Sequence, residues 1–264
     1  MPRAALLALL LCLLPVVASS AAPLPSVFLE ELTWTEVRDA IKAGKTTIII
    51  PIGGTEQSGP HIALGKHNVR VHFMAARVAA ALGDTLVAPV LAYVPEGSTN
   101  PATEHMRFPG TISIPETTFE EILVGTGRSF RRHGFKEIVF IGDHGGYQKA
   151  MKRAAMMLNR EWAGSSTRAH AIEEYYTAIS TEYSKALAAH GFDEEEIGTH
   201  AGLGDTSLTL AIDPSLVRTD RLRGSNTKEE GVSGDPERSS TDLGKIGVDL
   251  VVKRTVEAIR SAVR

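Results

Sequence analysis

One cysteine, Cys12, stands in 264 residues. A lone thiol excludes a disulfide framework and a cysteine-rich zinc site. Aromatic residues make up only 6% of the chain, with two tryptophans, Trp34 and Trp162. A substrate cage built from stacked indoles is therefore not expected. Basic excess is missing as well, since 28 lysines and arginines face 31 acidic residues. Binding to a phosphate backbone needs a basic stripe, so nucleic acid is not an expected partner. No internal repeat or low-complexity tract interrupts the sequence. What remains is 43% hydrophobic and 22% charged residues, the profile of a globular domain with a sizeable core.

The amino terminus has its own pattern. Arg3 precedes an apolar run from Ala4 to Val17, and small residues follow as Ala18-Ser19-Ser20-Ala21-Ala22. A positive start, a short apolar core and small residues at the end predict a cleaved secretory signal over residues 1–22. A membrane-spanning helix would need about 20 apolar residues, so no membrane association is expected after cleavage. Cys12 would leave with the signal, and residues 23–264 would form one periplasmic or secreted domain.

Strand-like and helical stretches alternate in that domain. Thr47 to Ile52, Leu86 to Val90 and Glu137 to Gly142 are apolar runs without polar alternation, as strands covered on both faces require. Between and after them, helical periodicity covers Glu36 to Ala43, Val69 to Leu82, Pro115 to His133, Tyr147 to Trp162 and Leu243 to Val263. This order predicts an α/β fold of three layers, α/β/α, around a mostly parallel sheet. Its site should lie in loops at the carboxyl ends of the strands. The polar stretch from Thr219 to Asp242 is too long for an ordinary connection and reads as a flap, an oligomer contact or a surface loop.

Four strand-end or turn segments concentrate the chemistry. Gly53 to Asn68 carries Glu56, His61 and His67 in glycine-rich backbone, and Asp143-His144-Gly145-Gly146 follows the Glu137 strand. Gly198 to Ser207 adds His200 and Asp205, and Glu104 to Thr111 adds His105 beside a tight turn. Five of the nine histidines thus fall in loops that also hold carboxylates. Neutral imidazole and carboxylate are the donors that hold zinc, manganese or iron in hydrolytic sites. His72 reads as a helix-surface residue, and His133, His170 and His190 lack loop partners.

These segments resemble the creatininase (creatinine amidohydrolase) family. Glu56-Gln57 with Gly59-Pro60-His61, His105 with Phe108-Pro109-Gly110-Thr111, and Gly142-Asp143-His144-Gly145-Gly146 match its motifs in order. So do His200-Ala201-Gly202 with Asp205-Thr206-Ser207, and Gly231-Val232-Ser233-Gly234-Asp235-Pro236. The resemblance runs from about Leu32 to the end. It implies a creatininase-type fold, a homo-oligomer, and a divalent metal centre, zinc first, that hydrolyses a non-peptide C–N bond in a small amide or lactam. Carried over residue by residue, one metal would be held by Glu56, His67 and His144, and a second would keep only His67 and Asp205.

The chain departs from the pattern at three of these positions. Ser58 replaces a metal-binding histidine, His67 a bridging aspartate, and Asp205 the usual glutamate. An imidazole binds one metal through one nitrogen where a carboxylate can bridge two, so the resemblance leaves one or two ions open. It casts His200 as general acid for the leaving nitrogen and Asp205 as ligand or general base. Ser58, His61, His105 and Asp143 would orient substrate or ligands from behind. Other readings of the scaffold are a lactonase, isomerase or lyase, and a periplasmic binding protein without catalysis.

Overall fold

The computed structural model describes residues 24–264; the segment read as a signal and Cys12 lie outside the described residues. The first α-helix, α1 (Trp34–Lys42), is capped by Thr33, whose hydroxyl accepts from the Glu36 amide while the Glu36 carboxylate accepts from the Thr33 amide. This reciprocal cap places the helix start two residues before the expected one. Strand β1 (Thr47–Ile52) and helix α2 (Lys66–Leu82) follow, then β2 (Thr85–Val87), α3 (Glu116–His133), β3 (Glu137–Gly142) and α4 (Gln148–Glu161). Strand β4 (Arg168–Ala171) leads into short helices α5 (Glu174–Thr177), α6 (Ser184–Ala189) and α7 (Glu194–Ile197). A π-helical segment, Ala178–Tyr183, joins α5 to α6. Helices α8 (Leu203–Ile212) and α9 (Thr241–Ala262) complete the domain.

The four strands form one parallel sheet in the order β2-β1-β3-β4. Strand β1 is buried along its whole length, and its side chains divide between two cores by simple alternation. Ile48, Ile50 and Ile52 pack with Phe119, Met151 and Leu158 beneath α1, α3 and α4. Ile49 faces the other way, with Val71, Met74, Leu208 and Val251 of α2, α8 and α9. Helices cover both faces of a parallel sheet, which is the expected three-layer α/β/α arrangement. No helix among the described residues is long and apolar enough to cross a membrane.

Several element ends differ from the expectation. β2 stops at Val87, two residues before Pro89, and the chain keeps only scattered contact with β1, such as the Leu91 amide donating to the Pro51 carbonyl. β4 was not anticipated, because Arg168-Ala169-His170-Ala171 has neither β-branched residues nor an apolar run; it forms by pairing with β3. Helix α2 begins one turn before Val69, so Lys66 and His67 sit buried on a helix instead of in a loop, on the same helix as the buried Arg70. The Thr219–Asp242 stretch is fastened to the strand-end loops. Val232 is buried with Ile62 and Ala201, and Ser233 pairs with His200 as an isolated antiparallel bridge.

Helices α8 and α9 meet through small residues. A Cβ built on Gly244 would lie 1.9 Å from the Ser207 carbonyl oxygen and 2.6 Å from the Ala211 Cβ. Gly244→Ala must force the helices apart and is expected to destabilise the domain by about 1–3 kcal/mol. Gly125 lies inside α3 with nothing within 4 Å of an added Cβ. Gly125→Ala should therefore stabilise by roughly 0.4–1 kcal/mol. Urea denaturation followed by circular dichroism reads both; equal effects of one sign would refute the packing account.

Candidate active site and metal centre

The carboxyl ends of β1 and β3 and the loop after β2 open into one cleft of about 300 Å³. From β1 the chain turns through Gly53 and Gly54. Gly54 has φ +149°, and a Cβ there would lie 2.6 Å from Glu96 Oε1, so glycine lets the Glu96 loop close onto β1. Two residues later Glu56 enters the cleft floor with no solvent exposure. The early start of α2 brings Lys66, His67 and Arg70 beneath it. The Tyr147 hydroxyl lies 2.8 Å from the Ile52 carbonyl and accepts from the His144 amide, tying the ends of β1 and β3 together.

Glu56 is the hub. Its Oε1 accepts from His67 Nε2 at 2.7 Å and lies 3.6 Å from Lys66 Nζ and 3.7 Å from His200 Nδ1. Its Oε2 faces His105 Nε2 at 3.2 Å and His144 Nε2 at 3.3 Å. Burial pushes the Glu56 carboxyl up, but His67, Lys66 and His144 outweigh burial and hold it well below the usual carboxylate range. The other His67 nitrogen, Nδ1, lies 2.6 Å from Asp143 Oδ2. Burial and Lys66 push His67 down, yet carboxylates on both nitrogens lift it above the ordinary value. A ring with an acceptor at each nitrogen is a double donor, an imidazolium, and offers no lone pair.

His144 and His200 are driven the other way. Burial takes His144 down to about 4 and His200 to about 3, so both rings are neutral near pH 7. Burial also lowers His105. The His200 Nε2 lies 3.0 Å from the Gln57 carbonyl oxygen, which can only accept. The same nitrogen lies 3.1 Å from the Gln57 side-chain amide nitrogen, which can only donate, so Gln57 offers His200 both an acceptor and a donor and holds the ring in place in either tautomer.

The remaining carboxylate in the floor is Glu96. Burial, helped by the Glu56 charge, raises it to about 10. Both Glu96 oxygens and Glu56 Oε2 are buried without a hydrogen-bond partner among the described residues. Orphaned carboxylate oxygens this deep are rare, and two neighbouring ones need a shared proton or a cation between them. Glu56, Glu96, His105 and His144 each offer one ligand atom, all within 4.8 Å of one another. Two carboxylates and two imidazoles form the mixed N/O set of zinc and manganese sites. The residues present therefore fit a divalent ion.

The expected site residues divide within this arrangement. Glu56, His67, His105, Asp143, His144, His200 and Asp205 all line the cleft. Asp205 is saturated, because Oδ2 accepts from Lys66 Nζ at 2.8 Å and from the Ala201 amide, and Oδ1 accepts from Arg70 at 2.7 Å. Burial raises its carboxyl, but Lys66 and Arg70 hold it well below the usual range. Asp143 accepts from Tyr175 and His67. Ser58 and His61 are buried away from the cleft lining. His61 Nε2 contacts the Ala201 carbonyl and Thr206 and so ties the first loop to the start of α8. His72 stacks on Phe28, and His170 pairs with Glu137 on the sheet edge.

Three residues of the floor were not anticipated: Glu96, Lys66 and Arg70. Glu96 had a readable signal, since Pro95-Glu96-Gly97 follows the β2 strand as the other site loops follow theirs. Lys66 and Arg70 had none, because their roles depend on where α2 begins.

The family model for Creatininase (creatinine amidohydrolase) matches residues 30–259. A mycofactocin precursor peptide peptidase of Mycolicibacterium smegmatis is 29% identical over 221 residues, covering 75% of this chain and 78% of that protein. The creatinine amidohydrolase of Pseudomonas putida is 26% identical over 259 residues, covering 89% and 96%. Solved creatininases, among them a manganese form and a mutant of Zn-Zn type, superpose with TM-scores of 0.75 and 0.74. Both are 26% identical and cover 90% of this chain and 98% of the other. With the family model spanning nearly all of the described residues, the chain belongs to the creatininase family.

Proposed function

We propose that this creatininase-family enzyme, a metal-dependent amidohydrolase, acts after export on a small polar amide or lactam. The observation that carries the reading is the unpartnered Glu56 and Glu96 oxygens beside the neutral His105 and His144 at the floor of a cleft of about 300 Å³. A cleft of that size is near the small end for ligand sites. Its mouth carries Tyr176, Ser180, Ser184 and Thr199, which suit a hydrogen-bonding substrate better than an apolar one. Zinc is the first choice for the ion, with manganese or iron next. Export is supported by the Arg3-led apolar segment, and assembly into a homo-oligomer by Trp34, 75% exposed beside Leu29 and Phe130.

Glu56, Glu96, His105 and His144 would hold the ion, which supplies Lewis acidity that polarises the amide carbonyl and acidifies an attacking water. The protein's own groups do the rest. His200, neutral near pH 7 and next to Glu56, takes the proton released at attack and returns it to the leaving nitrogen, acting as base first and acid second. Gln57 positions the ring through its backbone carbonyl and its side-chain amide. Asp205, tied to Lys66 and Arg70, fixes the cationic floor and leaves proton transfer to His200.

A panel of small amides and lactams assayed for amine or ammonia release should give a substrate whose turnover stops on chelation and returns with zinc or manganese. Hydrolysis of lactones alone would reject the amide reading. On that substrate, His200→Asn should lower kcat by about 10²–10⁴-fold with metal content unchanged. Loss of metal in this variant would instead make His200 a ligand. Export is checked by amino-terminal sequencing of the protein recovered outside the cytoplasm, which should begin close to Pro23.

The depressed histidines also predict a pH dependence of stability. In the unfolded chain His144 and His200 take up a proton near 6.5, while in the fold they stay neutral down to about 4 and about 3. Below 6.5 the unfolded state therefore binds more protons, and stability falls as pH drops towards 4. His67, shifted upward, adds the opposite dependence above that window, and Glu96, raised from 4.5 to about 10, adds it within the window, where the two histidine protons outweigh its one. The urea midpoint of metal-free protein should be lower at pH 5 than at pH 7, and His144→Gln should flatten the slope.

A further inference from the structure

We infer that the centre takes a single divalent ion, and that the ammonium group of Lys66 is a built-in cation in place of a second. The inference rests on the metal-dependent reading above and concerns how many ions that site accepts. A second ion would need more than the single nitrogen His200 can offer beside Glu56, and the structure has committed His67, Asp205 and the free side of Glu56 while Ser58 offers no charge. Ser58 is a neutral hydroxyl behind the cleft wall. His67 has a carboxylate at each ring nitrogen, at 2.6 and 2.7 Å. Asp205 gives both oxygens to Lys66, Arg70 and the Ala201 amide. Glu56 Oε1 already accepts from His67 and has Lys66 Nζ at 3.6 Å.

Lys66 thus lies between the Glu56 and Asp205 carboxylates, with no solvent exposure of its own side chain. A carboxylate oxygen bonds zinc at about 2.0–2.2 Å. An ammonium hydrogen-bonded to Asp205 Oδ2 at 2.8 Å excludes an ion from that approach.

Charge reaches the same count. Arg70 lies against Asp143 and Asp205, and Lys66 against Asp205 and Glu56, so two fixed cations serve the lower carboxylates Asp143 and Asp205. Glu56 and Glu96 remain, two carboxylates whose unpartnered oxygens face His105 and His144. One divalent ion already exceeds what they need, because His67, with a carboxylate at each ring nitrogen, adds a third fixed cation to the floor. A second would leave three uncompensated positive charges in a buried floor, a state strongly disfavoured at low dielectric. A solved mutant creatininase of Zn-Zn type shows that the scaffold can carry two ions. The difference in this chain is that the second positive centre is covalently attached through α2.

The test is a metal count on the full-length mature protein. Protein stripped by dialysis against chelator is titrated with zinc, and separately with manganese, by calorimetry and by elemental analysis after gel filtration. One ion per chain is the expected result. Two ions per chain overturn the single-ion inference and leave the metal-dependent reading standing; no uptake at all overturns that reading and the inference with it. The second arm is Lys66→Met, which removes the charge and keeps an unbranched side chain. It should bind zinc at least about tenfold more tightly, or take up a second equivalent, because a positive charge a few ångströms from the ion has gone. Affinity unchanged or weakened in a folded Lys66→Met protein, checked by circular dichroism, would show that Lys66 does not stand in for an ion. If the variant does not fold, the wild-type count decides alone.

Discussion

A carboxylate cannot be buried at the end of a parallel strand unless positive groups surround it, and Glu56 sets that demand for this fold. Its side chain has no exposure, one oxygen leans on His67 and Lys66, and the other faces two imidazoles. Removing one partner of such a buried pair typically costs about 3–5 kcal/mol, since the remaining charge is left uncompensated. The first turns of α2 supply the partners, with Lys66, His67 and Arg70 presented on one stretch of helix. Those cations in turn need anions. Asp143 from the end of β3 and Asp205 from the start of α8 provide them, so three separate elements are locked together by the burial of one glutamate.

The same demand explains why the loops around the site are glycine-rich. Backbones must approach closely for charges to be shared. At Gly54 the Glu96 carboxylate occupies the space a Cβ would need, and at Gly231 a Cβ would lie 2.1 Å from Gln57 Oε1. Gly231 belongs to the long polar stretch before α9, and its φ of +76° is open to glycine at little cost. Gln57 then reaches both His105 and His200 through its amide nitrogen, at 3.1 Å each. The strap, the glutamine and two histidines form one connected wall of the cleft, although they lie far apart in the chain.

Much of this was legible in the residues alone. The runs Thr47–Ile52 and Glu137–Gly142 are strands with the ends the apolar pattern set, because a strand buried on both faces admits no polar residue until it leaves the sheet. Of the histidines and carboxylates expected at strand ends, Glu56, His67, His105, Asp143, His144, His200 and Asp205 line one cleft, whereas His61 packs behind it. What stayed hidden depends on contacts across the chain. The start of α2 at Lys66 is not marked by a capping side chain, since Gly65 precedes it and makes no side-chain cap. It is stabilised instead by the acids that Lys66 and Arg70 meet 135 or more positions later. Strand β4 exists because β3 offers an edge, and no propensity in Arg168–Ala171 announces it.

Identical residues in this cleft hold opposite states. His67 is lifted because two carboxylates enclose it, whereas His144 and His200 are depressed because burial removes water without adding a strong enough acceptor. One imidazole thus serves as a structural cation and two as neutral lone-pair donors, within a ring-to-ring distance of 5.4 Å for His67 and His144. A metal ligand and a proton acceptor both require the neutral form near pH 7, and burial holds that form for both rings, helped by Lys66 at each and by His67 at His144. The division of labour is therefore electrostatic before it is geometric. A histidine at position 67 in place of a carboxylate does more than weaken a ligand: it adds a fixed positive charge beside Lys66 and opposes a proton on His144.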